Sequence, residues 1–258
     1  MAEELTLTTS AAETRDSLFG GALSIRQPAR RAGYRVNVDA ILLAGFAARG
    51  VSGGVPALGK RARHAVDLGS GVGAVALSLL HFGAAARATL IEIEPALAKL
   101  AVANAEDNDW TDRIEVVRAH VGDAAKGLAD KADLVVCNPP YVPPGRGRAP
   151  LERVRSAKYG ELGIFVDAAR TIAGHRARVC FVYPAIETTT LLATLRARGL
   201  EPKRLRAVHA RAADRARVVL VESVAGKAGG LVIEPPLVEM EGRSRSAAIS
   251  ALLTTPRA

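Results

Sequence analysis

The 258-residue sequence is poor in the features that build disulfide-stapled, zinc-binding and membrane-spanning proteins. Its two cysteines, Cys137 and Cys180, are too few for a disulfide framework or a four-ligand zinc site, so we expect no metal centre. No apolar run approaches the roughly 18 residues of a membrane-spanning helix, and the N-terminal residues lack the basic and apolar segments of a signal peptide. These absences lead us to expect a cytoplasmic protein that does not bind a membrane.

Positive charge is concentrated in one part of the chain. The 28 arginines and seven lysines, set against 26 acidic residues, give a formal net charge of +9. The chain is also rich in Ala, and a joint bias to Ala and Arg is typical of a GC-rich genome, which accounts for much of the arginine. The region from Arg146 to Arg217 holds 16 basic and six acidic residues, a net charge of +10, whereas the remainder has a net charge of −1. A cationic region of this kind favours a polyanionic partner such as nucleic acid.

An alternation of apolar strands and helices organises the chain from residue 64 onward, and the 49% hydrophobic composition is enough for a sizeable core. Buried strands alternating with helices predict an α/β fold with a mostly parallel sheet covered on both faces. The last two of seven strands are close enough to pair antiparallel. The predicted strands are His64–Leu68, Ala88–Ile93, Ile114–Arg118, Asp133–Cys137, Ala177–Tyr183, Leu205–His209 and Arg217–Glu222, and the helices are Ala40–Ala47, Val72–Phe82, Pro95–Asn108, Ala124–Ala129, Glu161–Ala173 and Glu187–Arg198.

Three other segments are predicted to be irregular. Residues 1–22 are polar and small and predict a loosely held arm, and the proline and arginines of Gln27–Arg31 predict a loop or turn. Asp39 is then the expected N-cap of the first helix. The Pro-, Gly- and Arg-rich stretch Pro139–Lys158 is predicted to be a long functional or disordered loop.

A glycine-rich turn follows the first strand of the alternation. Gly69, Gly71 and Ala74 could pass for a dinucleotide fingerprint with Glu92 as its acidic partner, but the match is weak. Asp67 before the first glycine and a third glycine at Gly73 make D-x-G-x-G-x-G, which resembles motif I of the S-adenosylmethionine-dependent methyltransferases. An aspartate there favours a cationic sulfonium and ammonium over a pyrophosphate. Glu92 can accept both hydroxyls of a ribose, whereas Glu94 is interpreted as a solvated acid.

The fourth strand ends in the tetrapeptide Asn138-Pro139-Pro140-Tyr141. Two prolines hold the backbone extended and remove two N–H donors, which leaves the carbonyl oxygens available as acceptors. The Asn138 amide oxygen and the Pro139 carbonyl can accept both hydrogens of a planar NH₂ group, and the Tyr141 ring offers a surface on which a flat base or amide stacks. Positioning of the amine accounts for most of the acceleration, and no general base is required. Cys137 is interpreted as a small apolar residue rather than a nucleophile.

This tetrapeptide resembles that of methyltransferases acting on exocyclic base amines and glutamine amides. The segments Gln27-Pro28 and Gly33–Ala44, followed by Gly199–Arg206 and Val218–Glu222, are similar to the bacterial adenine-N6 methyltransferases of valine tRNA. That family implies a Rossmann-like class I methyltransferase fold and S-adenosylmethionine as cofactor. It also suggests a division into an N-terminal arm and helix packing over the cofactor site (1–63), a catalytic domain (64–240) and a C-terminal tail (241–258).

The resemblance extends to individual residues. It implies that Asn37 and Asp39 contact the cofactor, together with the glycine loop (Asp67, Gly69, Ser70, Gly71, Gly73) and Glu92. The family's adenine-contacting Asp falls on His120, with Asp123 three residues later, and we favour Asp123. The family's His-Glu pair after the tetrapeptide is absent here, although the basic character survives. The residues expected to contact the RNA backbone are Arg146, Arg148, Arg153, Arg155 and Lys158.

The preferred interpretation is an enzyme that methylates adenine N6 in RNA, with tRNA as its partner. Glutamine N5 methylation of a protein and guanine N2 methylation of ribosomal RNA are alternatives for the same tetrapeptide. The first is disfavoured because about 60 residues before Asp67 leave little room for the helical domain that such enzymes carry. A non-catalytic RNA-binding scaffold and a dinucleotide oxidoreductase are further alternatives. The oligomeric state is not predicted.

Overall fold

A central sheet carries the fold in the computed structural model, which describes residues 13–29, 36–50, 57–58, 61–139, 151–226 and 228–258. The strands are β1 (Glu13–Leu18), β2 (Leu23–Pro28), β3 (Arg49–Gly50), β4 (Ala57–Leu58), β5 (Ala62–Leu68), β6 (Ala85–Glu92), β7 (Ile114–Arg118), β8 (Ala132–Cys137), β9 (Ala173–Pro184), β10 (Leu200–His209), β11 (Ala216–Ala225), β12 (Val232–Ile233), β13 (Leu237–Val238), β14 (Met240–Glu241) and β15 (Ser244–Arg245). The helices are α1 (Val38–Ala48), α2 (Ala74–His81), α3 (Pro95–Asp107), α4 (Val121–Gly127), α5 (Leu151–Ile172), α6 (Thr188–Ala197) and α7 (Ala247–Leu253).

Seven long strands form the sheet in the order β10-β11-β9-β8-β5-β6-β7, and β12 and β13 extend it as short parallel partners of β10. Strands β9, β8, β5, β6 and β7 are parallel, and β11 is antiparallel to both β9 and β10. The predicted α/β fold with a mostly parallel sheet and an antiparallel closing pair is therefore confirmed.

Two hydrophobic clusters cover the two faces of the sheet. One contains α1, α2, α3 and α7, and the other contains α4, α5 and α6. Adjacent residues of one strand belong to different clusters, as Val135 and Val136 do. Because each face is covered, the central strands are apolar at nearly every position, which is typical of buried parallel strands.

The N-terminal residues 13–28 form an antiparallel hairpin of β1 and β2, so the predictions of a loose arm up to residue 22 and of a turn at Gln27-Pro28 are wrong there. Two asparagines one helical turn apart, Asn104 on α3 and Asn108 at its C-cap, hold this hairpin. The Asn104 and Asn108 amides each accept from and donate to the backbone of β2, at Arg26 and Ser24. These distant partners give the segment an ordered structure that its composition does not indicate.

Helix α5 begins at Leu151, so the loop predicted over Pro139–Lys158 is wrong from residue 151 onward. The remaining residues of that loop, 140–150, lie outside the described residues. At the other end of the chain, α7 packs on α1, where a Cβ added to Gly45 would lie 2.6 Å from Leu252 Cδ1. No helix within the described ranges is long and apolar enough to cross a membrane.

Candidate cofactor and catalytic cleft

The candidate site lies where the carboxyl ends of three neighbouring parallel strands meet. Leu68, the last residue of β5, pairs with Ile91 of β6 on one side and with Cys137 of β8 on the other. The glycine loop, Glu92 and Asn138 follow these three positions directly. Such carboxyl-end crevices are where open α/β sheets bind ligands.

The glycine loop adopts a backbone conformation that other residues rarely occupy. Gly69, Gly71 and Gly73 have φ angles of +65°, +57° and +87°. A Cβ at Gly73 would lie 2.7 Å from Leu90 Cδ2, and one at Gly69 would lie 3.1 Å from the Phe165 ring. The turn therefore requires all three glycines, and close packing adds to the requirement at Gly69 and Gly73.

Glu92 is held in place by the backbone on either side of it. Its Oε2 accepts from the Gly71 N–H at 2.8 Å, and its Oε1 accepts from the Glu94 N–H at 2.8 Å. The side chain is 6% exposed. A carboxylate oxygen can accept more than one hydrogen bond, so both oxygens of Glu92 remain able to accept from ligand hydroxyls. These two hydrogen bonds therefore orient the Glu92 carboxylate before a ligand binds.

Asp67 is buried beneath the glycine loop. Its Oδ2 accepts from the Ala76 N–H at 3.2 Å, at the start of α2. The pKa of Asp67 is raised to about 7, mainly by burial and to a smaller extent by the nearby Glu92 charge, while the Ala76 hydrogen bond acts to lower it. A cation placed beside this carboxylate would favour its charged form.

The glycine loop and Asn138, the first residue of the tetrapeptide, line one cleft, whose space is about 330 Å³ when the part open to solvent is included. Asn138 lines it as a half-buried side chain, and Pro139 next to it is buried. Pro140 and Tyr141 lie outside the described residues. Burial raises the pKa of the Cys137 thiol well above its ordinary value, which agrees with a non-nucleophilic role. The residues that line the cleft are Val36, Ala40, Asp67, Gly69, Ser70, Val72, Ala74, Val75 and Asn138.

The N-terminal side of the cleft is formed by Val36 and Ala40. Asn37, rather than Asp39, occupies the cap position of α1, because its Oδ1 accepts from the Asp39 N–H at 3.0 Å. The Asp39 carboxylate is buried and pairs with Arg217 at 2.6 Å. Direct contact of Asn37 or Asp39 with a cofactor stays a prediction.

The position of the adenine-contacting residue also stays a prediction. His120 caps α4, its Nδ1 accepting from the Gly122 N–H at 3.2 Å, and Asp123 is exposed in the first turn of that helix. The sequence predictions passed over Ile93, which follows Glu92 and is 62% exposed. A large apolar side chain that is exposed beside a site carboxylate indicates an apolar contact for a ligand. The sequence shows only that Ile93 follows Glu92, and its exposure becomes visible only in the structure.

Gln27 is a second residue that the sequence predictions passed over as a site residue. Its Oε1 accepts from the Val36 N–H at 2.9 Å, and its Nε2 donates to Asp16 at 2.6 Å. It thereby links the N-terminal hairpin to the cleft wall.

The residues predicted to contact RNA are only partly covered by the structure. The side chains of Arg153, Arg155 and Lys158 at the start of α5 are not described, and Arg146 and Arg148 lie outside the described residues. Their RNA contacts stay a prediction.

The strand order, with a glycine loop after β5, defines a Rossmann-like class I methyltransferase fold. A structure described as a predicted O-methyltransferase from Agrobacterium tumefaciens shares it, with a TM-score of 0.62 and 24% identity over 83% of this chain and 94% of that one. The TYW2 protein of M. jannaschii, solved in complex with AdoMet, has a TM-score of 0.56 and 15% identity over 84% and 87% of the two chains.

The family model of the methyltransferase small domain matches residues 54–150. This chain is also similar to proteins named tRNA1(Val) (adenine(37)-N6)-methyltransferase. The relative from Porphyromonas gingivalis is 34% identical over 42% of this chain and 41% of its own length, and that from Haemophilus influenzae is 29% identical over 61% and 65%. The chain thus spans less than two thirds of these relatives, and the matches confirm the resemblance seen in the sequence.

Proposed function

We propose that this protein is an S-adenosylmethionine-dependent methyltransferase that modifies the exocyclic N6 of an adenine in RNA, with valine tRNA beside its anticodon as the substrate and the cytoplasm as the compartment. One observation carries the proposal. Asn138 and the Asp67–Gly73 loop line the same cleft, so a group that presents NH₂ and a cofactor bound at the loop share one space.

The residues of the cleft fit this cofactor, which supplies an electrophilic methyl group on a sulfonium. Asp67 and the loop provide negative charge and close backbone approach for its cationic part. The oriented carboxylate of Glu92 suits the two ribose hydroxyls. Ile93 offers an exposed apolar surface for the adenine ring, and the buried Ser70 Oγ has no hydrogen-bond partner among the described residues, which leaves it available to the ligand.

Asn138 would orient the target amine. Its amide oxygen and the Pro139 carbonyl accept the two hydrogens of the NH₂ group, and the nitrogen lone pair is then directed into the cleft. Because the half-buried amide is fixed at the end of a buried strand, the cost of ordering it is met during folding rather than during the reaction.

The choice of RNA rests on the named relatives and on the N-terminal segment whose sequence resembles that of the valine tRNA enzymes. Segment Val36–Ala44 forms the start of α1 and contributes Val36 and Ala40 to the cleft. The same segment belongs to the stretch Gly33–Ala44 that resembles the valine tRNA enzymes, and this supports the choice of substrate as well as the chemistry.

Incubation with methyl-labelled S-adenosylmethionine and unmodified valine tRNA, followed by digestion to nucleosides, tests the proposal. We expect label in N6-methyladenosine at one position of the anticodon loop. Label in N2-methylguanosine or in a protein glutamine would replace the proposed substrate with one of the alternatives. Absence of cofactor binding by calorimetry would remove the methyltransferase proposal itself.

Asn138→Ala tests the role of the tetrapeptide. We expect the cofactor dissociation constant to change by less than about threefold and turnover to fall at least about 100-fold, since positioning contributes most of the rate. Cys137→Ala is the matched control, because the adjacent buried thiol takes no part in the chemistry and turnover should be kept. Equal turnover in both variants would contradict the assigned role.

A further inference from the structure

Strand order places the turn between β10 and β11 on the same edge of the sheet as the cleft. Tyr183, near the carboxyl end of the parallel strand β9, pairs with Val219 of the antiparallel β11. The first residues of β11 therefore lie at the edge formed by the carboxyl ends of the parallel strands. There Ala216, the first residue of β11, pairs with His209, the last residue of β10. The connecting residues 210–215 project from that edge.

A second hairpin lies beside this turn. Strand β13 runs parallel to β10, and the chain continues to the same edge, where the Glu239 N–H donates to the His209 carbonyl at 2.8 Å and the Met240 N–H donates to the Ala210 carbonyl at 3.0 Å. Strands β14 and β15 then form a two-stranded hairpin whose turn contains Gly242 at a φ of +63°. The two hairpins thus stand side by side.

Four arginines cover these two hairpins, and we call them the hairpin arginines: Arg211, Arg215, Arg243 and Arg245. All four are exposed, and within the described ranges no ion pair engages any of them. Two exposed acids, Asp214 and Glu241, share the surface, which leaves a net positive charge. None of the exposed large hydrophobic side chains of the described residues lies on these hairpins.

An ion-pair bridge fixes the hairpins relative to the cleft. Arg217 contacts Asp39 at 2.6 Å on one side and Glu239 at 2.8 Å on the other. Asp39 begins α1, and the next residue, Ala40, lines the cleft. At a strand spacing of about 4.8 Å, β10 lies about 14 Å across the sheet from β8 and Asn138.

We propose that the hairpin arginines bind the phosphate backbone of the RNA whose base enters the cleft, an inference that rests on the proposed function. Guanidinium groups bind phosphates through paired hydrogen bonds, and phosphate contacts fix the register of a nucleic acid on its protein. The absence of large apolar side chains on these hairpins favours RNA over a protein partner, whose interface core would need them. These four arginines are different residues from those of the 146–158 segment.

The test compares two variants of the full chain in which the same number of arginines is replaced. One carries Arg211→Ala, Arg215→Ala, Arg243→Ala and Arg245→Ala. The control carries Arg61→Ala, Arg87→Ala, Arg170→Ala and Arg176→Ala, four exposed arginines toward the opposite edge of the sheet. Both are measured for binding of unmodified valine tRNA at several salt concentrations, for cofactor binding, and for methylation at saturating RNA.

We expect the hairpin variant to bind RNA at least about tenfold more weakly than the control, with a log–log salt slope lower by about one for each phosphate that an arginine no longer neutralises. Its cofactor affinity and its rate at saturating RNA should match the control. Equal RNA affinity and slope in the two variants would overturn the inference while leaving the proposed function intact. Failure of the unaltered protein to methylate any RNA would overturn the proposed function instead.

Discussion

The two halves of the sheet use charged side chains in different ways. At the ends of β5 and β6, the carboxylates of Asp67 and Glu92 are held by backbone N–H groups within the same loop region. In the half formed by β9, β10 and β11, Arg178, Arg204 and Arg217 are held by acids and carbonyls from distant parts of the chain. A short motif therefore describes the first half, whereas only the folded chain explains the second.

The arginine-rich region from Arg146 to Arg217 contains more structural charge than its net value suggests. Arg204 is 2% exposed and binds Glu222, Glu234 and the Phe46 carbonyl, while its guanidinium stacks over the Phe46 ring. Arg217 is bridged between two acids in the same manner, and Arg178 pairs with Glu222. All four acids that pair with these arginines lie outside the region, so a count within it overstates the positive charge available to a polyanion.

The difference between the two halves is tested most strongly by Arg204→Met, which removes the guanidinium but keeps much of the side-chain volume. We expect the free energy of unfolding at pH 7 to fall by about 3 kcal/mol, because Glu222 is left without its closest partner in a buried setting. Chemical denaturation measures the change. Arg211→Met is the control, with an expected change of about 0.5 kcal/mol or less. Similar destabilisation of the two variants would show that burial does not separate the two groups of arginines.

A structural feature could be predicted from the sequence when the residues that form it are close together in the chain, and could not when they are far apart. The alternation of strands and helices and the glycine loop are local patterns, and the structure confirms the α/β architecture that they predict. The hairpin of β1 and β2 depends on Asn108, which lies 84 residues from its partner Ser24, and the Arg204–Phe46 contact joins residues 158 apart. No local composition indicates such contacts, so the hairpin and the structural arginines were not predicted.

The cofactor half is tested by the pH dependence of Asp67. Since its pKa rises from 3.8 to about 7 on folding, the folded state binds more protons than the unfolded state between those values. Stability should therefore fall as pH rises through this window, by at most about 1.4 kcal/mol per pH unit, and the decrease should level off above pH 7. Asp67→Asn removes the titration, so the difference in unfolding free energy between the two proteins from pH 5 to pH 8 isolates this group.

Cofactor binding gives Asp67 a second readout. A cationic ligand favours the charged carboxylate, so the affinity of the unaltered protein for S-adenosylmethionine should increase as pH rises through 7. Asp67→Asn should bind more weakly and show no such increase. A parallel pH profile in the two proteins would mean that Asp67 is structural and that the cation lies elsewhere.

The smallest expected effect on stability comes from the glycine loop, where Gly73→Ala sharpens the contrast between a locally determined site and the rest of the fold. The added Cβ would lie 2.7 Å from Leu90 Cδ2 at a φ of +87°, so we expect a destabilisation of about 1 to 2 kcal/mol together with weaker cofactor binding. Gly127→Ala is the matched control, because its Cβ would meet nothing within 4 Å at the end of α4. Thermal unfolding and calorimetry with S-adenosylmethionine separate the two outcomes. If Gly73→Ala keeps both stability and cofactor affinity, the tight turn does not shape the cleft. The site at the ends of β5 and β6 would then not be determined by its local sequence, and the contrast with the arginines of β9, β10 and β11 would fail.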